Sequence, residues 1–245
     1  FIFIYWFVYF NSMATPINTY INAFQQLFFP HICCGCGADY IHSNAFLCAA
    51  CNHALPATHF FDHSNNPVEQ VFAGRIPLIA GGASFYFYKS GLVQHLISQL
   101  KYKNNLSAGR FLGRSMGRAL RESERFAHID LLIPLPLHPK KEFQRGYNQA
   151  RIICEGIMEV WPKKLCTQSV SRLIYTNSQT QGNRLSRWKN MEEAFWASEP
   201  NMIKNKNILL IDDVITTGAS LEACGRAILQ VPGTSVSVAT AAYTV

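Results

Sequence analysis

Residues Ile208-Leu209-Leu210-Ile211-Asp212-Asp213-Val214-Ile215-Thr216-Thr217-Gly218-Ala219-Ser220 constrain the fold of this chain more than any other stretch. The apolar run Ile208 to Ile211 fits a strand buried on both faces, as in parallel sheets covered by helices. It delivers two adjacent carboxylates to its carboxyl end, and a small hydroxyl-bearing turn then opens a helix from Ser220 to Leu229. Such a turn can wrap a phosphate with backbone N–H groups and the hydroxyls of Thr216, Thr217 and Ser220, helped by the positive end of the helix. Carboxylates that close to a phosphate would otherwise repel it. The pair Asp212 and Asp213 suits the two hydroxyls of a ribose, or a Mg²⁺ ion bridging them to a diphosphate. A P-loop is excluded because G-x-x-x-x-G-K-[ST] is absent, and a dinucleotide fold because G-x-G-x-x-G is absent. The plainer alternative is an ordinary βα turn capped by Asp and Thr.

The rest of the 245 residues supports an α/β reading. A short helix is expected from Ile17 to Phe29 and a strand at Gly82 to Tyr88. Helices follow from Leu92 to Leu100 and from Ser107 to about Arg125. Next come a buried strand at Ile129 to Leu135, a Pro- and Lys-rich loop at Pro136 to Gly146, and a helix from Tyr147 to Val160 stopped by Pro162. Cys166 to Ile174 and Val236 to Tyr243 read as strands, Ala57 to Gly74 as a linker or irregular loop, and Tyr175 to Asn190 as a polar, mobile stretch. Strands alternating with helices after residue 125 point to a parallel sheet. An apolar fraction of 49% with only 15% charged residues excludes a disordered chain. Phe1 to Phe10 is too short to span a bilayer, which takes roughly 20 residues. It also has no basic region before it and no cleavage site after it, as a secretory signal would. Phe1 to Ser12 is read as upstream translation before Met13, rather than as a weak membrane-surface anchor, so no stable membrane insertion is expected.

Four of the eight cysteines form two C-x-x-C pairs, Cys33 with Cys36 and Cys48 with Cys51. Two such turns complete the closed all-thiolate site typical of structural zinc, with Gly37 supplying permissive backbone after the first pair. A chain of this length buries its own core without disulfides, so metal binding in a reducing compartment, the cytoplasm, is the better reading. A closed site leaves no position for substrate, which assigns zinc to folding or partner contact. Cys34 is a spare thiol, and His31, His42 and His53 are bystanders.

The loop from Asp212 to Ser220 resembles the phosphoribosyl-pyrophosphate (PRPP) loop of type I phosphoribosyltransferases. From about Leu27 to Val245 the chain resembles the ComF family of competence-associated proteins. The resemblance is carried by the four-cysteine segment with Leu55-Pro56, by Leu100-Lys101-Tyr102, and by Pro134-Leu135-Pro136 leading to Arg145-Gly146-Tyr147-Asn148-Gln149-Ala150. It continues through Gln179-Thr180-Gln181 with Arg184, Arg187 and Asn190. The family commonly has Phe where this chain has Tyr147.

The resemblance implies a type I phosphoribosyltransferase-like, mostly parallel sheet flanked by helices, with a small N-terminal zinc module. The implied division is residues 13–56 for the N-terminal helix and zinc module, 57–125 for a linker and hood, and 126–245 for the core. It implies that Asp212 and Asp213 bind the ribose hydroxyls and that Thr216, Thr217, Gly218, Ala219 and Ser220 hold the 5′-phosphate. Pro134, Leu135 and Pro136 would form the diphosphate loop, with Lys140, Lys141 and Arg145 nearby. Arg184 and Arg187 would approach the leaving diphosphate on a loop that closes over the site, with Mg²⁺ as cofactor. The implied activity is phosphoribosyl transfer from PRPP to an unidentified acceptor, in natural competence and DNA uptake.

Twenty-two Lys and Arg against fifteen Asp and Glu give a net charge of +7, which favours an anionic partner without choosing between a small phosphate and nucleic acid. Arg110, Arg114, Arg118, Arg121 and Arg125 recur at helical spacing, and Lys101, Tyr102 and Lys103 add charge with a stackable ring. Such a row could track a phosphate backbone, or it could be a solvated helix face, since Glu122 and Glu124 interrupt it. A second reading therefore stands beside the enzyme: a non-catalytic scaffold for single-stranded DNA that works with competence or helicase proteins.

Overall fold

A computed structural model of the chain describes residues 31–39, 45–172 and 194–245. The helix expected at 17–29 and the polar stretch expected at 175–190 lie outside the described residues. The chain divides into two units, Phe1–His53 and Ala54–Val245. In the first, a turn through Cys33 to Gly37 is followed by helix α1 (Ala49–His53).

The second unit is built on five parallel strands in the order β1-β7-β6-β2-β3, where β1 is Gly81–Phe87, β2 Leu131–Pro134, β3 Lys164–Leu165, β6 Asn207–Ile215 and β7 Ser235–Thr244. The expected parallel sheet is thus present. Its middle strand is β6, whose apolar run pairs on both edges: Ile211 stands opposite Pro134 of β2 and Ala239 of β7. Alternation along β6 sends Ile208 and Leu210 into a core with Phe72, Val236, Val238 and Cys224, while Leu209 and Ile211 are equally buried on the other face. Helix α7 (Ala219–Leu229) covers the first face, together with an antiparallel pair, β4 (Val170–Arg172) and β5 (Phe195–Ala197). Helices α4 (Leu106–Glu122) and α6 (Gln149–Met158) lie on the sheet and against each other.

The α4–α6 contact is a backbone approach made possible by glycine. A Cβ on Gly113 would stand 2.1 Å from the Ile153 carbonyl oxygen, and one on Gly156 would stand 2.3 Å from that of Arg110.

Several expectations need correction. Ala57 to Gly74 is no linker: Phe60, Phe61, Val68 and Phe72 are buried there, and it carries helix α2 (Pro67–Phe72). The Asn66 side chain caps α2 by accepting from the Val68 and Glu69 N–H groups, and it donates to the carbonyls of Phe60, His63 and Gly81. The polar composition hid this because the aromatics follow neither a helical nor a strand period. The loop expected at 136–146 contains helix α5 (Pro139–Arg145), which buries none of its residues. It forms through its ends, with Pro139 in the first turn, His138 as N-cap and Gly146 left-handed at φ +78°. The second amphipathic helix stops at Glu122, so Arg125 leaves the arginine row for a separate 3₁₀ turn, Glu124–Phe126. Cys166 lies outside β4, and β6 runs four residues past Ile211, through both aspartates.

Candidate functional site

In the first unit the sulfurs of Cys33, Cys36, Cys48 and Cys51 all lie within 4.8 Å of one another. Cys36 Sγ and Cys48 Sγ are 3.7 Å apart, close to the roughly 3.8 Å between two sulfurs on a tetrahedral zinc at about 2.3 Å from each. Backbone N–H groups of Cys48 (3.2 Å) and Gly35 (3.4 Å) donate to Cys33 Sγ, and that of Cys51 donates to Cys48 Sγ (3.4 Å). Burial raises the Cys33 thiol, but the N–H donors of Cys48, Cys36 and Gly35 outweigh it and bring the group to about 6. Gly37 turns the chain at φ +75°. The donor set is thus all sulfur, closed, and supported by backbone donors, and it could hold a zinc ion. Cys34, His31 and His53 are not in the cluster, and His42 lies outside the described residues.

The second site lies at the carboxyl ends of β6 and β2. A cavity of about 640 Å³ is lined there by Asp212, Asp213, Thr216 and Ser220, by Leu135 and Pro136, and by Lys141, Arg145, Lys101 and Arg172. Because the aspartates are consecutive in a strand, they point to opposite faces of it. Asp213 turns towards helix α3 (Leu92–Tyr102), where Lys101 Nζ donates to its Oδ1 at 2.8 Å. Asp212 turns towards α7 and β4, and its Oδ1 accepts the Asp213 N–H at 2.8 Å. Burial, then the charge of Asp213, pushes Asp212 up to about 8, against the pull of that N–H group, Lys101 and Arg172. Arg172 is itself drawn down by burial while Asp212 acts in the opposite direction.

After β6 the chain turns through Thr216 and Thr217 into Gly218, left-handed at φ +70°. A Cβ at Gly218 would lie 2.6 Å from Val71 Cγ1, so backbone angle and packing both demand glycine. The turn presents the N-terminus of α7, where first-turn N–H groups lack helical partners and the dipole is positive. Thr216 and Ser220 line the cavity, while Thr217, Gly218 and Ala219 shape the turn.

The loop after β2 is held from below. Asn148 Nδ2 donates to the Leu135 carbonyl (2.9 Å) and its Oδ1 accepts from Ala150 N–H (2.9 Å), capping α6. Gln149, buried, accepts from Arg145 Nη1 at 2.6 Å. Pro134 lies with Arg172 on a neighbouring cavity of about 330 Å³, and Lys140 is exposed at the start of α5. Arg184 and Arg187 lie outside the described residues.

The structure regroups the residues that the sequence assigned to a nucleic-acid face. Lys101 belongs to the cavity. Tyr102 is exposed with the Arg145 guanidinium 5.5 Å from its ring centre, and Lys103 is exposed beside it. The arginine row is not bare: Arg110 bonds Glu155 (3.1 Å), Arg114 bonds Glu159 (2.8 Å), and Arg121 donates to the Val160 carbonyl (3.3 Å). Arg125 donates to the carbonyls of Phe60, Phe61 and His63 and pairs with Glu69. Arg118 is exposed. Arg172 and Arg75 were missed by sequence reasoning, since each stands alone in an unremarkable stretch and only the folded chain brings them to the site.

No described helix is long and apolar enough to cross a membrane. No family model matches the chain. It is 30% identical over 135 residues to "Competence protein F" of Haemophilus influenzae, covering 54% of this chain and 59% of that protein. It is 32% identical over 100 residues to "Competence protein ComFC" of Bacillus subtilis, covering 41% and 38%. Identity to "DNA utilization protein YhgH" of Escherichia coli strain K12 is 23% over 146 residues, covering 58% and 63%. The matched segment is thus less than two thirds of each of these relatives. A glutamine PRPP amidotransferase from B. subtilis, complexed with ADP and GMP, overlays 56% of this chain and 26% of its own at 15% identity, with a TM-score of 0.40. The curated proteins to which the chain is similar are therefore the competence and DNA-utilization proteins of the ComF kind that its motifs resemble.

Proposed function

We propose that this chain binds PRPP with Mg²⁺ and acts as a phosphoribosyltransferase in the cytoplasm, in the handling of DNA taken up during competence. The observation that carries this reading is the convergence on one cavity of the Asp212–Asp213 strand end, the Thr216 to Ser220 turn at a helix N-terminus, and the Leu135–Pro136 loop. The turn would hold the 5′-phosphate, and the aspartates would hold the ribose hydroxyls. Lys141 and Arg145 on α5 would face the diphosphate, with Arg184 and Arg187 as further cations. Displacement at the anomeric carbon leaves positive charge on the sugar and negative charge on the departing diphosphate, so cations aimed at the leaving group lower the barrier. Mg²⁺, when bound, supplies further neutralisation of that diphosphate. The four thiolates would hold zinc in a structural role.

The test is calorimetric titration of PRPP with Mg²⁺ into the full chain, repeated with Asp212→Asn/Asp213→Asn. Saturable binding that the double variant loses is expected. Absence of binding by the wild type would leave the second reading, a scaffold for single-stranded DNA. That reading is favoured by exposed Tyr102 under Arg145, with exposed Lys103, Lys140 and Lys141 able to add phosphate contacts. It predicts DNA affinity that falls steeply with salt.

A further inference from the structure

The last turn of α3 makes contacts at three successive residues, the second and third of them at the cavity. The Leu100 carbonyl accepts the Tyr147 hydroxyl, Lys101 bonds Asp213, and Tyr102 lies beneath Arg145. Of these contacts, Lys101–Asp213 has chemical consequences for the site. It links residues 112 positions apart, and the two side chains are only 22% and 9% exposed. An ammonium ion so placed neutralises Asp213 and occupies one of its oxygens. Arg172 of β4 lines the same cavity, and its charge acts on Asp212. The acid pair thus shares its cavity with two cations carried on different elements.

We propose that Lys101 is the resident counter-ion of the acid pair and competes with an incoming divalent cation for Asp213. The inference rests on reading Asp212 and Asp213 as a cation-holding pair, but it does not require that PRPP be the ligand. A divalent ion approaching Asp213 meets the repulsion of an ammonium 2.8 Å from the same carboxylate, and it gains full access only when that ammonium moves away. Lysine suits such an exchange because its point charge sits on a flexible stem, whereas arginine would hold the carboxylate with a planar fork. Lys101 is thus a positioning residue that neutralises Asp213 in the empty site and sets how tightly a cation binds without ligand.

The test is Mn²⁺ binding to the full chain, followed by the electron paramagnetic resonance signal of the free ion, with no PRPP present. Lys101→Met should tighten Mn²⁺ binding by about tenfold or more, because the competing charge is gone. Lys101→Arg, which keeps the charge and grips the carboxylate with a fork, should bind Mn²⁺ no more tightly than wild type, which guards against a merely structural effect. The gain should vanish in Lys101→Met/Asp213→Asn. Unchanged Mn²⁺ affinity in Lys101→Met, or a gain that persists without Asp213, overturns the inference. Failure of PRPP titration with an intact Mn²⁺ response would overturn the PRPP reading and leave the exchange standing.

Discussion

Arg75 ties the turn after β6 to the body of the protein through Glu222: its Nη2 lies 2.5 Å from Glu222 Oε2, while its Nη1 donates to the Thr217 carbonyl at 3.0 Å. The same Nη1 bonds the Val71 carbonyl at 2.9 Å, so one guanidinium joins the end of α2, the turn after β6 and the first turns of α7. Glu222 is nearly buried and is also held by Arg226 at 2.8 Å. Arg75→Met should therefore lower stability by about 1–3 kcal/mol, because it removes a charge-assisted contact from a buried carboxylate and leaves the Thr217 carbonyl without its donor. Affinity for ribose 5-phosphate should fall with it. Urea melts and calorimetry check this, and a variant that melts earlier but binds the phosphate unchanged would detach Arg75 from the turn.

A second prediction concerns the glycines between α4 and α6. Gly113→Ala and Gly156→Ala each drive a methyl into a backbone carbonyl of the facing helix, which no rotamer change relieves. The cost should be roughly 2–3 kcal/mol or more, seen as a lower urea midpoint with an unchanged slope. Gly109→Ala is the milder comparison, because its methyl would meet the side-chain tips of Ile152 and Leu100 at 2.7 and 2.8 Å. If all three variants melt alike, the close backbone approach is not what sets the spacing of these helices.

Those glycines also show what was legible in the sequence. The order of strand, acid pair, turn and helix at 208–229 could be read because each step is local and carried by consecutive residues. So could the four-cysteine spacing. The arginine row on α4 was visible as a pattern, but its partners were not. Gly109, Gly113 and Gly117 recur every four residues on α4, and it is the helix seated against them that brings Glu155 and Glu159 to Arg110 and Arg114. The opposed faces of Asp212 and Asp213 follow from β6 continuing to Ile215, which an apolar run ending at Ile211 does not announce. Arg75 and Arg172 reach the site from distant segments, so no local pattern marks them, and Lys101 stands out in its motif without any sign that its partner is Asp213.

The four-cysteine unit gives a third prediction. Metal affinity and folding are coupled where the ligands are thiolates on short turns. Purified chain should carry one zinc ion, and Cys48→Ser should lose it, since Cys48 would supply one of the four thiolates. Chelation should expose the four thiols to a thiol reagent while the melting of Ala54–Val245 changes little, as expected for a separate unit. Elemental analysis and thiol counting before and after chelation read this. Zinc retained in full by Cys48→Ser would remove Cys48 from the ligand set.

The last prediction is a pH dependence of stability centred on His128. Burial lowers the affinity of this imidazole for a proton below its ordinary 6.5, and Lys163 acts in the same direction, while the Arg125 backbone and Asp130 oppose them. Its Nε2 lies 3.4 Å from Ser237 Oγ on β7. The native state then binds fewer protons than the unfolded state wherever the unfolded imidazole begins to charge. Stability must therefore rise with pH across that window. The contribution is fully present above 6.5 and is lost as pH falls from 6.5 through the lower native value. His128→Gln cannot take up the proton, so its stability should fall less than that of wild type between pH 7.5 and pH 5. Urea melts of both proteins across this range isolate the histidine, because every other titrating group is common to the two. Parallel curves would mean that His128 charges as readily in the native protein as in the unfolded chain.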